Sequence, residues 1–373
     1  MAKIPTYADL GVPIYINAHA TITTLGGSIM PPEVVQAMTE AAKNFVPLND
    51  LHQKAGARIA QLTGAEGAYI CAGAASGLLL AGAACLSGTD VEAIRNLPDI
   101  GDRPNEFVIS LVDSHYYVHQ GFRVSGGALV KVGTTDAVTA ADYEGGIGRH
   151  TAAVVFFLGS QPREQLPRII EVAHRHQIPV IVDAAAQLPP RSNLTDLTAM
   201  GADLVVFSGG KGLFGPQSSG LILGRKDLVE ACALNSSPYS AIGRGMKVGK
   251  EEVMALLAAV ELFMELDEDA VIAEWERRCA TIAAVADEFD GISTTYTRPY
   301  ENKFPPASPV QHLHFAAGAP LSATAVQQAL ENGQPAIWVG HGDDTLSFGP
   351  QTLQDGEAEI VVDRLRQIFK EGQ

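Results

Sequence analysis

Asp203-Leu-Val-Val-Phe-Ser-Gly-Gly-Lys211-Gly-Leu-Phe-Gly-Pro-Gln217-Ser-Ser-Gly-Leu-Ile-Leu-Gly224 is the stretch whose reading decides the fold. Leu204 to Phe207 is an apolar run expected to form a buried strand. It stops at Ser208-Gly209-Gly210, a tight turn that presents one lysine. A second apolar run, Leu221 to Leu223, follows a link rich in Gly, Pro and Ser. A lysine flanked by glycines between two buried strands is poorly placed to be an ordinary surface cation. Its flexible stem and easily displaced pKa suit it to a Schiff base with a carbonyl. A solvated turn lysine is the plainer alternative on this segment alone.

The segment upstream weighs against that alternative. Ile178-Pro-Val-Ile-Val-Asp183-Ala-Ala-Ala-Gln187-Leu-Pro-Pro190 is a strand ending in an aspartate. Open α/β sheets bind ligands at the carboxyl ends of their strands. The interval from Asp183 to Lys211 leaves room for a connection and one more strand, so both groups can face one cleft. A strand-end Asp followed by a strand-end Lys is the arrangement pyridoxal phosphate enzymes need. The carboxylate keeps the pyridine nitrogen protonated, and the lysine carries the cofactor. Asp183 alone would read equally well as a helix cap.

Composition narrows the class. The chain has 373 residues, 46% of them hydrophobic, and a formal net charge of −16. That is enough chain for a sizeable core and two domains. The acidic balance argues against a nucleic-acid or anionic-membrane surface. No stretch reaches the roughly 18 apolar residues of a membrane span. The N-terminus lacks a signal peptide's apolar core. Cys71, Cys85, Cys232 and Cys279 form no CxxC pair or metal pattern, which fits buried reduced thiols in a cytoplasmic protein.

Working outward, Ile14 to Ser28 is an extended arm dense in Asn, His, Thr and Gly, including Asn17, and suggests a site lining. Pro31-Pro32-Glu33 predicts a helix start. Ala68 to Cys71 predicts a strand, Ala72-Gly-Ala-Ala75-Ser76-Gly77 a turn, and Leu78 to Leu86 a small-residue helix. Strand, turn and helix together are the general recipe for a phosphate site, because the first helical amides are unpaired; an ordinary tight turn is the plainer alternative on this segment alone. Residues 92–105 read as a polar surface insertion. Phe107 to Val112 is a strand delivering Asp113-Ser-His115-Tyr-Tyr-Val-His119. An aromatic ring there can stack on a planar cofactor; two surface histidines at a helix start are the plainer alternative. His174 and His176 read as solvated helix residues. Strands alternating with helices imply a parallel sheet covered on both faces. Ser240 to Lys250 is a loop with three cations, Arg244, Lys247 and Lys250. Beyond it, a long helix leads to a smaller α+β region with strands near residues 292–296, 310–315 and 336–339, and a last helix over 355–369. The organisation expected is an arm and helix over 1–45, a large cofactor domain over 46–250, and a linking helix with a small domain over 251–373.

The order of phosphate turn, ring-stacking residue, strand-end Asp and strand-end Lys resembles the fold-type I, aspartate aminotransferase-like, pyridoxal phosphate enzymes. The segments Asp183–Pro190, Ser208–Gly220, Asn17…Gly26-Gly27-Ser28 and Gly243-Arg244…Lys247-Val-Gly-Lys250 resemble more closely the selenocysteine synthase (L-seryl-tRNA selenium transferase)-like family. That family includes the D-glucosaminate-6-phosphate ammonia-lyase branch. The resemblance covers nearly the whole chain. It implies pyridoxal 5'-phosphate held by Lys211 and Asp183, with His115 on one face of the ring and Ala185 on the other. Ala75, Ser76, Gly77 and Ser208 would hold the phosphate. Lys211, His115 and Asp183 would be catalytic, and Asn17, Gln217, Arg244 and Lys247 would meet the substrate. His115-Tyr-Tyr-Val-His-Gln120 departs from the family's His-Arg-Asn-Ala-Tyr-Asp-like stretch. The resemblance further implies a homodimer or higher even-numbered oligomer. Elimination from a small amino acid or amino sugar acid is the expected chemistry. Aldol cleavage, racemisation, transamination and a non-catalytic binding protein are the alternatives. No arginine lies between Arg298 and Arg364. An aminotransferase's carboxylate-binding arginine would be sought there, so Arg244 or Lys247 is the expected cation instead.

Overall fold

The structure, a computed structural model, describes residues 3–298 and 308–372. It divides into two compact units, Met1–Gly27 with Asp267–Gln373, and Ser28–Leu266. A first strand, β1 (Tyr15–Asn17), belongs to the former. The latter carries β2 (Gly67–Cys71), β3 (Glu106–Ser110), β4 (Ala128–Val132), β5 (Thr151–Phe157), β6 (Val180–Asp183), β7 (Leu204–Ser208) and β8 (Gly220–Gly224).

These seven form one sheet in the order β2-β8-β7-β6-β5-β3-β4. Only β8 runs against the rest, pairing antiparallel with both β7 and β2. Every residue of β5 is buried. Val154 and Phe156 enter one core, and Ala153, Val155 and Phe157 the other. A strand covered on both faces needs apolar side chains in succession, which is why this run does not alternate with polar residues. One face is covered by helices Leu48–Thr63, Leu166–Arg175 and Lys250–Glu265, the other by Ala74–Ser87, Tyr116–Val124 and Lys226–Leu234. Asp203, at the start of the deciding stretch, anchors the opposite end of the sheet. Its Oδ2 accepts the Val180 N–H and faces His174 Nε2, each at 2.8 Å, and its Oδ1 accepts from Arg225 at 3.0 Å. His174, expected to be merely solvated, is therefore a structural partner.

Chain order departs from spatial order at one place. From β3 the chain moves outward to β4, then crosses back to β5 on the other side of β3 and continues through β6 and β7. This reversal sets a switch point between the carboxyl ends of β3 and β5, the general ligand position of open α/β sheets.

Local differences from the sequence expectation have local causes. The helix after β2 starts at Ala74, earlier than Leu78, because Gly73 turns the chain with φ 107° and the first helical bond, Gly77 N–H to Gly73 O at 2.9 Å, closes at once. Within 92–105 a short helix, Val91–Asn96, forms because Asp90 caps it, accepting from Glu92 and Ala93 N–H at 2.9 and 3.2 Å.

The other unit contains β9 (Ile292–Thr297), β10 (Val310–Phe315), β11 (Ala336–Trp338), β12 (Gly340–His341) and β13 (Thr345–Phe348). Four form an antiparallel sheet, β12-β13-β10-β9. The arm strand β1 pairs in parallel with β11, Tyr15 opposite Ala336 and Asn17 opposite Trp338. Ile16, Leu313, Ile337, Phe348, Leu365 and Phe369 share its core. Among the described residues no helix is long and apolar enough to cross a membrane.

Candidate active site

The site lies where β3, β5, β6 and β7 end. β6 and β7 are parallel neighbours with Asp183 opposite Val206. The turn after Asp183 is sewn to β7 by Ala184 N–H to Val206 O at 2.9 Å and Ser208 N–H to Ala185 O at 3.2 Å. Asp183 Oδ1 accepts the Ala185 N–H at 3.0 Å. Burial pushes the Asp183 carboxyl up to about 6, with Asp113 adding to the effect while the Ala185 N–H, Lys211 and His115 oppose it. A carboxylate in this setting gains from any cation brought to it.

Lys211 follows the end of β7. Its loop is wound too tightly for a side chain at Gly212, where a Cβ would stand 2.2 Å from Leu188 O. Burial lowers the lysine's pKa, and Asp183 partly offsets that. The amine is thereby brought closer to its nucleophilic, neutral form. The 28-residue interval thus places an acid and an amine on adjacent strand ends, as the sequence predicts.

Helix Ala74–Ser87 points its start toward the same strands. A Cβ on Gly77 would meet Val206 Cγ1 at 2.7 Å, and Val206 is the residue in register with Asp183. No side chain caps this helix. Its first amides are thus a place for an anion. Ala75 is exposed and Ser76 half-buried. Ser76 Oγ donates to Ala72 O at 3.1 Å. The Gly77 N–H is already used by Gly73 O, so Gly77 serves by permitting close packing. Ser208, half-buried, ends β7 beside Lys211. An uncapped helix start, a desolvated carboxylate and a desolvated amine on adjoining strands match the phosphate, pyridine nitrogen and aldehyde of pyridoxal 5'-phosphate. The donor set fits that cofactor.

Three further residues gather here that the sequence reading did not assign. Asp113, three residues past β3, is 6% exposed. Its Oδ1 accepts the His115 N–H at 2.8 Å, and its Oδ2 meets His115 Nδ1 at 2.8 Å and Ser160 Oγ at 3.2 Å. Burial alone would raise the Asp113 pKa, yet the bonds from His115 outweigh it and hold it below the ordinary range. The His115 pKa is raised, chiefly by Asp113. Tyr117 stands edge-on to His115, ring centroids 5.6 Å apart, and its hydroxyl is pushed up to about 12 by burial and by Asp183 and Asp113. A strand-end Asp two residues before a His is a local signal for the first pair. Ser160, far away in sequence, leaves none.

Other expected residues are elsewhere or otherwise engaged. Gln217 is exposed on the Lys211 loop. Arg244 donates to Pro238 O at 2.9 Å and Ser237 Oγ at 3.4 Å, so within the protomer its guanidinium is held on that turn. Lys247 is exposed. Asn17 belongs to the other unit, where its side chain bonds Ala20 O and the His19 N–H at 2.9 and 3.0 Å and shapes the arm. His119 is buried against Phe157, centroids 6.2 Å apart, and is neither a surface residue nor part of a metal cluster among the described residues.

Known proteins resemble this chain over most of its length. The family model described as L-seryl-tRNA selenium transferase matches residues 15–275. A 5'-C-glycyluridine monooxygenase-decarboxylase from Streptomyces sp is 35% identical, the match covering 97% of this chain and 92% of that protein. The D-glucosaminate-6-phosphate ammonia lyase of Salmonella typhimurium is 31% identical over 97% of each chain. A solved structure of a D-glucosaminate-6-phosphate ammonia-lyase superposes with a TM-score of 0.83 at 29% identity, covering 99% of this chain and all of that one.

Proposed function

Because the chain belongs to the L-seryl-tRNA selenium transferase family, we propose that it is a pyridoxal phosphate-dependent lyase of fold-type I acting on an amino sugar acid. The observation that carries this is the Asp183–Lys211 pair on adjacent strand ends, with the carboxyl pKa raised and the amine pKa lowered. By their names, two relatives above 30% identity act on amino acids built on sugar skeletons. The substrate class proposed is an α-amino acid with a β-hydroxyl on a sugar-derived chain.

When bound, pyridoxal phosphate supplies the electron sink that makes a Cα proton removable. The protein does the rest. Lys211 would hold the cofactor and is the amine placed to take the Cα proton. Asp183 would hold the protonated ring nitrogen of the cofactor, and His115 and Ala185 would pack against its ring. The start of helix Ala74–Ser87, through Ala75 and Ser76, holds the phosphate with Ser208. Arg244 or Lys247 meets the substrate carboxylate, with Gln217 as a further contact. The working form is a cytoplasmic homodimer or higher even-numbered oligomer, in which Arg244 can serve its own or its partner's site. A net charge of −16 speaks for a small-molecule substrate rather than a nucleic acid.

The test is a screen of sugar-derived amino acids with the cofactor-loaded protein, measuring ammonia and 2-keto acid. Equimolar release of both supports the lyase. Amine transfer to an added keto acid would instead make it an aminotransferase. Oxygen uptake with loss of carbon dioxide is a second reading, favoured by the Streptomyces relative.

A further inference from the structure

Asp113 is nine-tenths buried, yet it is neither a cap nor part of a surface ion pair. Its two oxygens receive three bonds, two of them from His115. The backbone bond fixes where the His115 main chain leaves β3. The ring bond at Nδ1 fixes how the imidazole is turned. Ser160, from the end of β5, holds the carboxylate from behind. With Nδ1 committed to Asp113, the opposite ring nitrogen, Nε2, has no protein partner among the described residues. The His115 side chain is 58% exposed while that of Asp113 is 3% exposed. The ring thus has a rigid inner edge and an open outer one.

We propose that Asp113 is a positioning residue that fixes His115 through Nδ1 so that Nε2 delivers a proton to the departing β-hydroxyl of the substrate. The assignment rests on the lyase reading above. In the step, Lys211 Nζ takes the Cα proton, and the electron pair left behind becomes the Cα=Cβ bond. The Cβ–O bond breaks with its pair on oxygen. The proton on His115 Nε2 moves to that oxygen, so water leaves and the imidazole becomes neutral. Hydrolysis of the resulting enamine consumes one water and yields a 2-keto acid and ammonia.

The electrostatics match the roles. The charged groups acting on His115 are Asp113, Asp183 and Lys211. The two carboxylates favour the imidazolium and Lys211 opposes it, so Asp113, in direct contact, decides the balance. His115 is displaced upward and Lys211 downward, the pattern expected of a proton donor and a proton acceptor in one site. A carboxylate that orients an imidazole and stabilises its charged form is a general device.

The test is Asp113→Asn, which keeps the shape and removes the charge. Nitrogen-15 NMR of the His115 ring is followed in cofactor-free protein, so its result does not depend on whether the lyase reading holds. We expect the His115 midpoint to fall by about one pH unit or more, while the protein stays folded by circular dichroism. In the loaded enzyme, turnover should drop on the order of 100-fold, with the alkaline limb of the rate profile moving to lower pH. His115→Gln should cost about as much, and the double variant little more than either alone. An unmoved His115 midpoint, or losses that multiply in the double variant, would overturn the assignment. If D113N is unfolded, Ser160→Ala provides the second arm: it removes a donor that competes with His115 for the Asp113 carboxylate, so a His115 midpoint that holds or rises supports the proposal, and a fall overturns it.

Discussion

Replacing Asp183 with Asn separates what this carboxylate does for function from what it costs the fold. Burial raises its pKa from 3.8 to about 6. One pH unit of displacement corresponds to about 1.4 kcal/mol, so the ionised side chain costs the cofactor-free fold up to about 3 kcal/mol. The folded protein binds this proton more tightly than the unfolded chain does. The group's contribution therefore favours folding below about pH 4 and is lost as the pH rises through about 6. Asparagine can still accept from the Ala185 N–H, which stands 3.0 Å from the present carboxylate, and it carries no charge. After allowing for its own polar burial, D183N should be more stable than the parent by about 2 kcal/mol at about pH 8, with the advantage gone near pH 4. Urea unfolding of both cofactor-free proteins across that range is the assay. Saturating pyridoxal phosphate should reverse the order, because the parent's carboxylate then faces a protonated ring nitrogen. A D183N protein less stable than the parent at high pH, or a difference independent of pH, would refute the claim that Asp183 is a desolvated carboxylate awaiting a cation.

Two other substitutions test neighbouring parts of the site. Gly77→Ala would press a methyl to 2.7 Å from Val206 Cγ1 and 3.1 Å from Cys71 Sγ, costing about 1–3 kcal/mol and displacing the helix start. Thermal melting and cofactor titration should both weaken; wild-type cofactor affinity would place the phosphate elsewhere. Arg244→Gln should raise the Michaelis constant roughly tenfold or more, the worth of a charge-assisted bond, and leave the bound-cofactor spectrum intact. If the spectrum collapses as well, Arg244 holds the cofactor phosphate, and if neither changes, the loop serves neither group.

What was legible in the sequence follows from the range of each interaction. Lys211 and Asp183 were legible because both follow buried strands, and a parallel sheet places consecutive strand ends side by side. The turn into helix Ala74–Ser87 was legible because glycines and small residues mark it locally. The antiparallel insertion of β8 between β7 and β2 was not, since an apolar run carries no direction. Nor was the pairing of β1 with β11, which joins residues near opposite ends of the chain over only three positions. The short strands β12 and β13 gave no run long enough to register. Asp113 stood in plain view two residues before His115, a local signal, whereas the bond it receives from Ser160, 47 residues away, is announced by no local pattern.

The central claim is that Lys211 carries pyridoxal phosphate. Borohydride reduction of the loaded protein, followed by digestion and mass spectrometry, tests it directly. The account predicts one stable pyridoxyl phosphate adduct on the peptide containing Lys211, absent from the Lys211→Ala variant, which should also lose all turnover. An adduct on Lys226 or Lys247 instead, or full turnover by the alanine variant, would contradict it.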